Sequence, residues 1–143
     1  MKKPPNVTSA RVIGPMTIEI TWSTGENLYA DMTGMDNPPF DVLNDPDFFL
    51  LMTTDDWGHG IGWPGGLDIS ADNLYDLCRR QAGLPTARDF DKWMQRNGLS
   101  LATAADTLGM TRRMIAHYRT GSRPIPKVVG LACKAIDLTV RLF

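Results

Sequence analysis

The chain has 143 residues, 43% of them apolar and 22% charged, and a formal net charge of −1. These values are typical of a soluble globular protein with one or two small domains. No apolar run is long enough for a transmembrane helix, and the start, MKKPPNVT, lacks the apolar core of a secretory signal. The chain has two cysteines, Cys78 and Cys133, and no Cys or His at metal-ligand spacing. We therefore expect reduced thiols in a cytoplasmic protein.

The charges divide the chain into an acidic part and a basic part. Residues 1–82 contain five basic and twelve acidic residues, for a net charge of −7, whereas residues 83–143 contain ten basic and four acidic residues, for +6. Such asymmetry favours nucleic-acid binding by the basic part and another role for the acidic part. Gly83 can end a helix and Pro85 prevents its continuation, so we predict domains at 1–82 and 83–143.

Strands are predicted at the beginning of the acidic domain. In residues 16–22 the apolar side chains alternate with polar ones, which is the pattern of a strand with one buried face. Residues 7–13 and 27–32 have similar character and are separated from it by turns at Gly14-Pro15 and Ser23–Glu26. We predict an antiparallel meander of three strands.

The rest of the acidic domain is predicted to combine short helices with a hairpin. Asp45 caps a helix over 46–51 that supplies Phe48, Phe49, Leu50 and Leu51 to the core. Residues 53–69 form a hairpin with a type II turn at Trp63-Pro64-Gly65-Gly66. Ser70 caps a helix over 71–81, whose apolar stripe consists of Leu74, Leu77, Cys78 and Gln81.

Several of these residues carry a family resemblance that covers about residues 5–80. The pieces are Asp45, Pro46, Phe49, Trp63–Ser70 and Asn73-Leu74-Tyr75. They resemble a small bacterial β-rich domain family of unknown function, whose members are often antitoxin-like proteins encoded beside a second small protein. The resemblance implies that the acidic domain binds a partner protein, which its charge predicts to be basic.

The best catalytic or metal-binding candidate is the cluster Asp55, Asp56 and His59. Its spacing matches no ligand motif well, and Gly58, Gly60 and Gly62 indicate a turn. The chain has no phosphate-binding glycine loop and no Ser/His/Asp pattern. We therefore expect no enzyme activity, no catalytic residue, no metal and no cofactor.

The basic domain is predicted to be all helical. Phe90, Trp93 and Met94 belong to a first helix, and Ser100 caps a second one. Leu101, Ala104, Ala105 and Leu108 lie on one face of that second helix, which Gly109 ends. Thr111 then caps a third helix, whose Ile115 and Tyr118 point back at the second.

The outer face of the third helix has the character of a DNA-reading surface. Two adjacent arginines lie at its N-terminal end, and Arg can contact guanine O6 and N7 in the major groove. The alternative is an amphipathic helical hairpin with a solvated basic face. The predicted base-contacting residues are Thr111, Arg112, Arg113, Ala116, His117 and Thr120.

Residues 97–126 resemble the Cro and lambda-repressor type of helix-turn-helix. The matching pieces are Gly98-Leu99-Ser100, Ala105, Gly109, Ile115, and Tyr118 with Gly121 and Pro124. The resemblance covers residue 86 to about 142 and implies a loop along the DNA backbone. The phosphate-contacting residues predicted on this basis are Ser100, Ser122, Arg123 and Lys127. The family often has Gln at the position of Leu101 and usually has five helices, whereas four are predicted here.

The last helix, predicted over 127–142, has two apolar stripes. One consists of Val128, Leu131, Ala132, Ala135, Leu138 and Leu142, and the other of Val129, Cys133, Ile136, Val140 and Phe143. One stripe closes the helical core, and the other needs cover from the acidic domain or a second subunit. We predict a homodimer, because two-fold DNA sites match two-fold proteins.

Together these patterns predict an α+β protein: a small antiparallel β-rich domain with a helix, followed by an all-α lambda-repressor-like helix-turn-helix domain. The predicted function is sequence-specific binding of double-stranded DNA by a cytoplasmic, nucleoid-associated transcriptional regulator, most simply a repressor. The alternative is an antitoxin-like interaction protein, whose acidic domain binds a partner while the basic domain autoregulates the operon.

Overall fold

The computed structural model describes residues 5–35 and 37–142, with side chains described up to residue 139. The chain separates into two compact units. The first, here called the N-terminal unit, takes in the described residues up to Ala82. The second, the C-terminal unit, begins at Gly83. Both strands and helices are present, so the α+β class is confirmed.

Three antiparallel strands open the N-terminal unit. They are β1 (Val7–Gly14), β2 (Thr17–Trp22) and β3 (Asn27–Asp31), in the order β1-β2-β3. Ile18 is paired with Ala30 and Ile20 with Leu28, and all four side chains are buried. The alternating apolar residues of the sequence therefore lie on one face of the sheet, and the predicted meander is confirmed.

A second antiparallel sheet follows. It contains β4 (Thr53–Thr54), β5 (Gly60–Trp63) and β6 (Leu67–Ser70), in that order across the sheet. Ile61 is paired with Ile69, and both side chains are buried. Gly65, in the turn between β5 and β6, has a φ of 87°, which the third position of a type II turn requires. The hairpin predicted over 53–69 is confirmed, with β4 added at its edge.

The helix predicted over 46–51 contributes less to the core than expected. A 3₁₀ helix spans Phe40–Asn44, and α1 (Pro46–Phe49) makes only one turn. Asp45 caps α1 as expected, since its carboxylate accepts from the backbone N–H of Asp47 at 3.0 Å. Phe49 is buried, but Leu50 is 63% and Leu51 52% exposed, because α1 ends before them. Phe48 is half-buried.

The helix α2 (Ala71–Gln81) has the predicted bounds and the predicted cap, Ser70. Leu74 and Cys78 are buried, but the predicted stripe is wrong at Gln81, which is exposed. The Gln81 amide instead exchanges two hydrogen bonds of 2.8 Å with the backbone of Asp31, at the end of β3. Ala71 and Arg79 are buried although the predicted stripe did not include them, and Arg79 is the charged one of the two.

Four helices form the described C-terminal unit: α3 (Ala87–Arg96), α4 (Leu101–Leu108), α5 (Arg112–Thr120) and α6 (Lys127–Leu142). Two polar contacts attach α3 to α6. The Trp93 indole donates to the carbonyl of Cys133 at 3.2 Å, and Arg96 lies 2.6 Å from Asp137. The buried core consists of Phe90, Trp93, Met94, Ala104, Ala105, Ile115, Tyr118, Ile125, Val129 and Cys133.

The two stripes of α6 have different environments. Val129 and Cys133 are buried and Ile136 packs against the core, so this stripe closes the helical unit. On the other stripe Val128 is 69%, Leu131 53% and Leu138 59% exposed. The predicted stripe members Val140, Leu142 and Phe143 lie outside the described side chains. Among the described residues, no helix combines the length and apolar character that a membrane span requires.

Candidate nucleic-acid interface

The helices α4 and α5 are joined by a three-residue turn, Gly109–Thr111. Gly109 lies in the left-handed region, with φ 67° and ψ 37°, and ends α4. The carbonyl of Ala105 accepts from the N–H groups of both Gly109 and Met110. Ala104 and Ala105 are 0% and 5% exposed, so small side chains stand where α4 packs into the core. The left-handed Gly109 thus ends α4, and the carbonyl of Ala105 is paired at this end of the helix.

The rotation of α5 about its axis is fixed by one cap and two buried side chains. The Thr111 hydroxyl accepts from the backbone N–H of Met114 at 3.2 Å. Ile115 is 0% and Tyr118 5% exposed, and the Tyr118 ring packs edge-on against Phe90 with centroids 5.7 Å apart. These contacts confirm the predicted cap and the predicted inner face.

Arg112 and Arg113 are exposed at the N-terminal end of α5. Arg123 and Lys127, in and after the following loop, are exposed as well. Within the described part of the chain, none of these four side chains makes a hydrogen bond or ion pair. From residue 107 to 136 the sequence contains six basic residues and no acidic one. The surface that carries these four cations therefore keeps its positive charge, since none of them is in an ion pair within the described residues.

Arg119 differs from these cations because it is paired. Its Nε donates to Asp91 on α3 at 2.9 Å, and the two side chains are 44% and 34% exposed. This contact attaches the C-terminal half of α5 to α3. The sequence reasoning did not find it, since the residues are 28 positions apart and no local pattern relates them.

His117, Thr120 and Ser122 form a polar cluster at the C-terminal end of α5. His117 Nδ1 lies 3.1 Å and the Thr120 hydroxyl 2.8 Å from the Ser122 hydroxyl. The carbonyl of His117 also accepts from the N–H groups of Gly121 and Ser122, both at 3.0 Å. His117 is half-buried, and its Nε2 is buried without a hydrogen-bond partner among the described residues. These side chains hold the loop after α5 in place, and their assignment to DNA contacts stays a prediction.

The remaining predicted contact residues have mixed surroundings. Ser100 is exposed and forms a capping box with Thr103, in which each backbone N–H donates to the other side chain's hydroxyl, at 2.7 and 3.1 Å. Thr111 is exposed but its hydroxyl is used as a cap, and Ala116 is half-buried. Of the ten predicted residues, Arg112, Arg113, Arg123 and Lys127 are exposed and have no such structural task.

The cluster considered for catalysis lies on the loop before β5. The Asp55 carboxylate accepts from the backbone N–H of His59 at 2.9 Å, and this contact lowers the pKa of Asp55. His59 Nδ1 is 3.7 Å from the same carboxylate, and both side chains are largely exposed. No group of three or more His, Cys, Asp or Glu in the described part of the chain is arranged to hold a metal ion. The absence of enzyme activity stays a prediction.

Comparison with known families identifies the N-terminal unit. Residues 7–80 match the family model described as "Protein of unknown function (DUF2442)". Because this match takes in more than half of the chain, the protein belongs to the DUF2442 family. No curated protein shows significant similarity to the chain.

One solved structure resembles nearly the whole chain. It is the crystal structure of "Putative DNA Binding Protein NE0471" from Nitrosomonas europaea ATCC 19718, with 36% sequence identity and a TM-score of 0.73. The likeness covers 90% of this chain and 84% of that protein, so it extends beyond the residues of the family match into the C-terminal unit.

Proposed function

We propose that the protein is a sequence-specific DNA-binding regulator whose α5 enters the major groove. The observation that carries this proposal is the pair Arg112 and Arg113, exposed and unneutralised on a helix whose opposite face is fixed by Ile115 and Tyr118. The major groove admits an α-helix, and Arg makes a bidentate contact to guanine. The structural relative's description as a DNA-binding protein supports the same function.

In this proposal α4, the turn and α5 form a lambda-repressor-like helix-turn-helix. Gly109 at the corner, small Ala105 at the packed face and the cap at Thr111 support it. Arg123 and Lys127 contact phosphates, which positions α5 without reading sequence. We propose that the protein binds as a cytoplasmic, nucleoid-associated repressor, since blocking a promoter requires binding alone.

We propose further that it binds as a homodimer. Val128, Leu131, Ala135 and Leu138 are spaced by three, four and three residues along α6, which is the spacing of a helix–helix seam. Three of them are more than half exposed. A single small DNA-binding domain binds weakly, whereas a two-fold dimer contacts two half-sites at once.

The experiment is fluorescence anisotropy with DNA from upstream of the protein's own gene, over a salt series. The wild type should exceed random DNA by about a thousandfold in affinity, with a steep loss at higher salt. Arg112→Ala/Arg113→Ala should abolish the discrimination between specific and random DNA. Arg88→Ala/Lys92→Ala removes the same charge from exposed positions on α3 and is the matched control. Equal, feeble binding of all DNA by every variant would contradict the proposal.

A second function, binding of a basic partner protein, is favoured by the charge of the N-terminal unit. Residues 1–82 carry twelve acidic against five basic residues, and Arg79, one of the five, is buried. This unit would repel DNA and attract a basic protein. The two functions are compatible, as in an antitoxin-like protein that represses its own operon. The partner-binding function is tested by co-purification. We expect a protein encoded nearby to co-purify at stoichiometric level and to dissociate at high salt.

A further inference from the structure

The outer face of the second sheet contains a groove of about 370 Å³, lined by residues of β4, β5, β6 and the loop before β5. The strand register identifies the residues that form the floor of the groove. Thr53 is paired with Gly62, and Gly62 with Asp68, so these three residues form one row across the sheet. The middle member has no side chain, and a Cβ there would lie 3.3 Å from the Leu67 carbonyl oxygen and 3.6 Å from the Asp68 Cβ, so the space above Gly62 is bounded on one side by Asp68.

The neighbouring row also has a glycine on β5. Gly60 is paired with Ser70, while Ile61 and Ile69 between the rows point to the core. Neighbouring strands are about 4.8 Å apart, so the backbones of Thr53 and Asp68 are about 10 Å apart across β5, and their side chains occupy part of that width. That width accepts one extended chain or the stem of a long side chain.

Polar and acidic groups surround this floor. Asp68 and Ser70 line one side, Thr53 and Thr54 the other, and Asp55 and His59 one end. The Asp55 and Asp68 carboxylates are exposed, and the Asp68 side chain makes no hydrogen bond or ion pair within the described residues. An exposed carboxylate beside a hydroxyl-lined channel is complementary to a guanidinium or ammonium group.

An exposed tryptophan lies on the loop whose ends line the groove. Trp57 is 74% exposed, whereas Trp22, Trp63 and Trp93 are at most 5% exposed, and all four lie in the described residues. Trp57 belongs to the loop whose ends, Asp55 and His59, line the groove. Large exposed aromatic side chains are typical of binding surfaces, and the face of Trp attracts cations.

The loop that carries Trp57 is held firmly by its backbone. Val7 donates to the carbonyl of Gly58 at 2.9 Å, and a Cβ on Gly58 would lie 2.3 Å from the carbonyl oxygen of Val7. A Cβ on Gly60 would likewise lie 2.2 Å from the carbonyl oxygen of Ile69. A surface fixed before binding loses little conformational entropy when a partner docks.

We infer that this groove, together with the exposed Trp57 of the adjoining loop, is the docking surface for an extended basic segment of a partner protein, with an Arg or Lys side chain lying over Gly62 toward Asp68. The inference rests on the second function proposed above and names its surface. It is independent of DNA binding, because every residue that it uses belongs to the N-terminal unit.

The test uses the full chain and a synthetic nonapeptide of alternating arginine and serine. Trp57 fluorescence and the backbone amide NMR shifts of Thr53, Gly62 and Asp68 report binding. Asp68→Asn should weaken binding about fivefold, as expected for loss of one partly exposed charge contact. Trp57→Phe should remove the fluorescence change while the amide shifts persist. Asp41→Asn, the same change at an exposed residue outside the groove, should leave the affinity unaltered.

Equal weakening by Asp68→Asn and Asp41→Asn would overturn the inference, since it would show attraction to the acidic unit as a whole. Equal binding of the peptide with glutamine in place of arginine would also overturn it. Free arginine amide binding as tightly as the peptide would identify a small-molecule pocket instead of a docking surface. Arg112→Ala/Arg113→Ala should bind the peptide normally, so failure of the DNA-binding proposal and failure of this one are separate results.

Discussion

Arg79 on α2 lies 2.9 Å from Glu26, the residue before β3, through its Nη1 and the Glu26 Oε2. The two side chains are only 4% and 19% exposed. The other carboxylate oxygen of Glu26 accepts from Tyr75 and from Thr24, and burial raises the pKa of Tyr75. This cluster attaches the helix of the N-terminal unit to its first sheet.

Breaking this contact should therefore cost the N-terminal unit much of its stability. Arg79→Met removes the cation that is paired with the Glu26 carboxylate, whose side chain is only 19% exposed. We expect the free energy of unfolding to fall by about 3 kcal/mol. Urea denaturation followed by circular dichroism measures the loss. The control is Arg11→Met, which breaks an ion pair with Glu19 whose arginine is 71% exposed. A comparable loss in both variants would contradict a special role for the buried pair.

Local patterns predicted most elements, because caps, turns and alternation act within a few residues. Ser70, Ser100 and Thr111 cap the helices that the sequence assigned to them. The buried cluster could not be predicted in this way, because Glu26 and Arg79 are 53 residues apart. In the sequence, the position of Arg79 near a helix end is typical of a solvated residue. Its burial is tolerated because Glu26, far away in the chain, is its ion-pair partner.

The candidate site shows the same division. The exposure of Arg112 and Arg113 follows from the burial of Ile115 and Tyr118, which helical spacing predicts. Spacing alone also put His117 on the outer face. It could not show that Ser122, which follows the turn at Gly121, comes within 3.1 Å of the imidazole.

Gly109 should be hard to replace. Its φ of 67° is left-handed, and a Cβ there meets no atom within 4 Å, so the strain comes from the backbone alone. Gly109→Ala should lower the stability of the C-terminal unit by about 1 kcal/mol, and Gly109→Asn by less, because Asn tolerates this region better. In thermal unfolding the melting temperature should be highest for the wild type, lower for Gly109→Asn and lowest for Gly109→Ala. An Ala variant as stable as the wild type would mean that the turn changes conformation at no cost.

Arg123 should act on DNA affinity without acting on sequence preference. It lies in the loop after α5, exposed and without a partner among the described residues. Under the proposed function, Arg123→Ala removes one phosphate contact, so all DNA should bind more weakly and the slope of log K against log salt should fall by about 1. Arg112→Ala should instead reduce the difference in affinity between specific and random DNA. Anisotropy titrations at several salt concentrations separate the two; a change in base preference with Arg123→Ala would assign it to base contacts.

Alkaline pH should destabilise each unit through its cysteine. Burial raises the pKa of Cys78 to about 12 and that of Cys133 to about 11, from 9.0 for an unperturbed thiol. Since the folded pKa values are raised, the stabilisation is complete below pH 9 and is lost as pH rises toward the folded values. Each thiol should lower the free energy of unfolding by about 1.4 kcal/mol per pH unit in that range. Urea denaturation at pH 7 to 10 should show this slope, with Cys78→Ala and Cys133→Ala each removing one thiol's share. An unchanged slope in either variant would show that its thiol already ionises in the folded state.

The exposed stripe of α6 should decide the oligomeric state. If Val128, Leu131 and Leu138 pair with the same residues of a second copy, Leu131→Lys places a charge in an apolar seam and should yield monomers at tens of micromolar in sedimentation velocity. Ala102→Lys, at an exposed position on α4, introduces the same charge outside the stripe and should leave the dimer intact. The monomeric variant should keep its fold by circular dichroism and lose affinity for a two-fold operator far more than for a single half-site, because only the dimer engages both half-sites. The seam would be ruled out as a dimer interface if the wild type sedimented as a monomer at this concentration and bound the two-fold operator no more tightly than the single half-site.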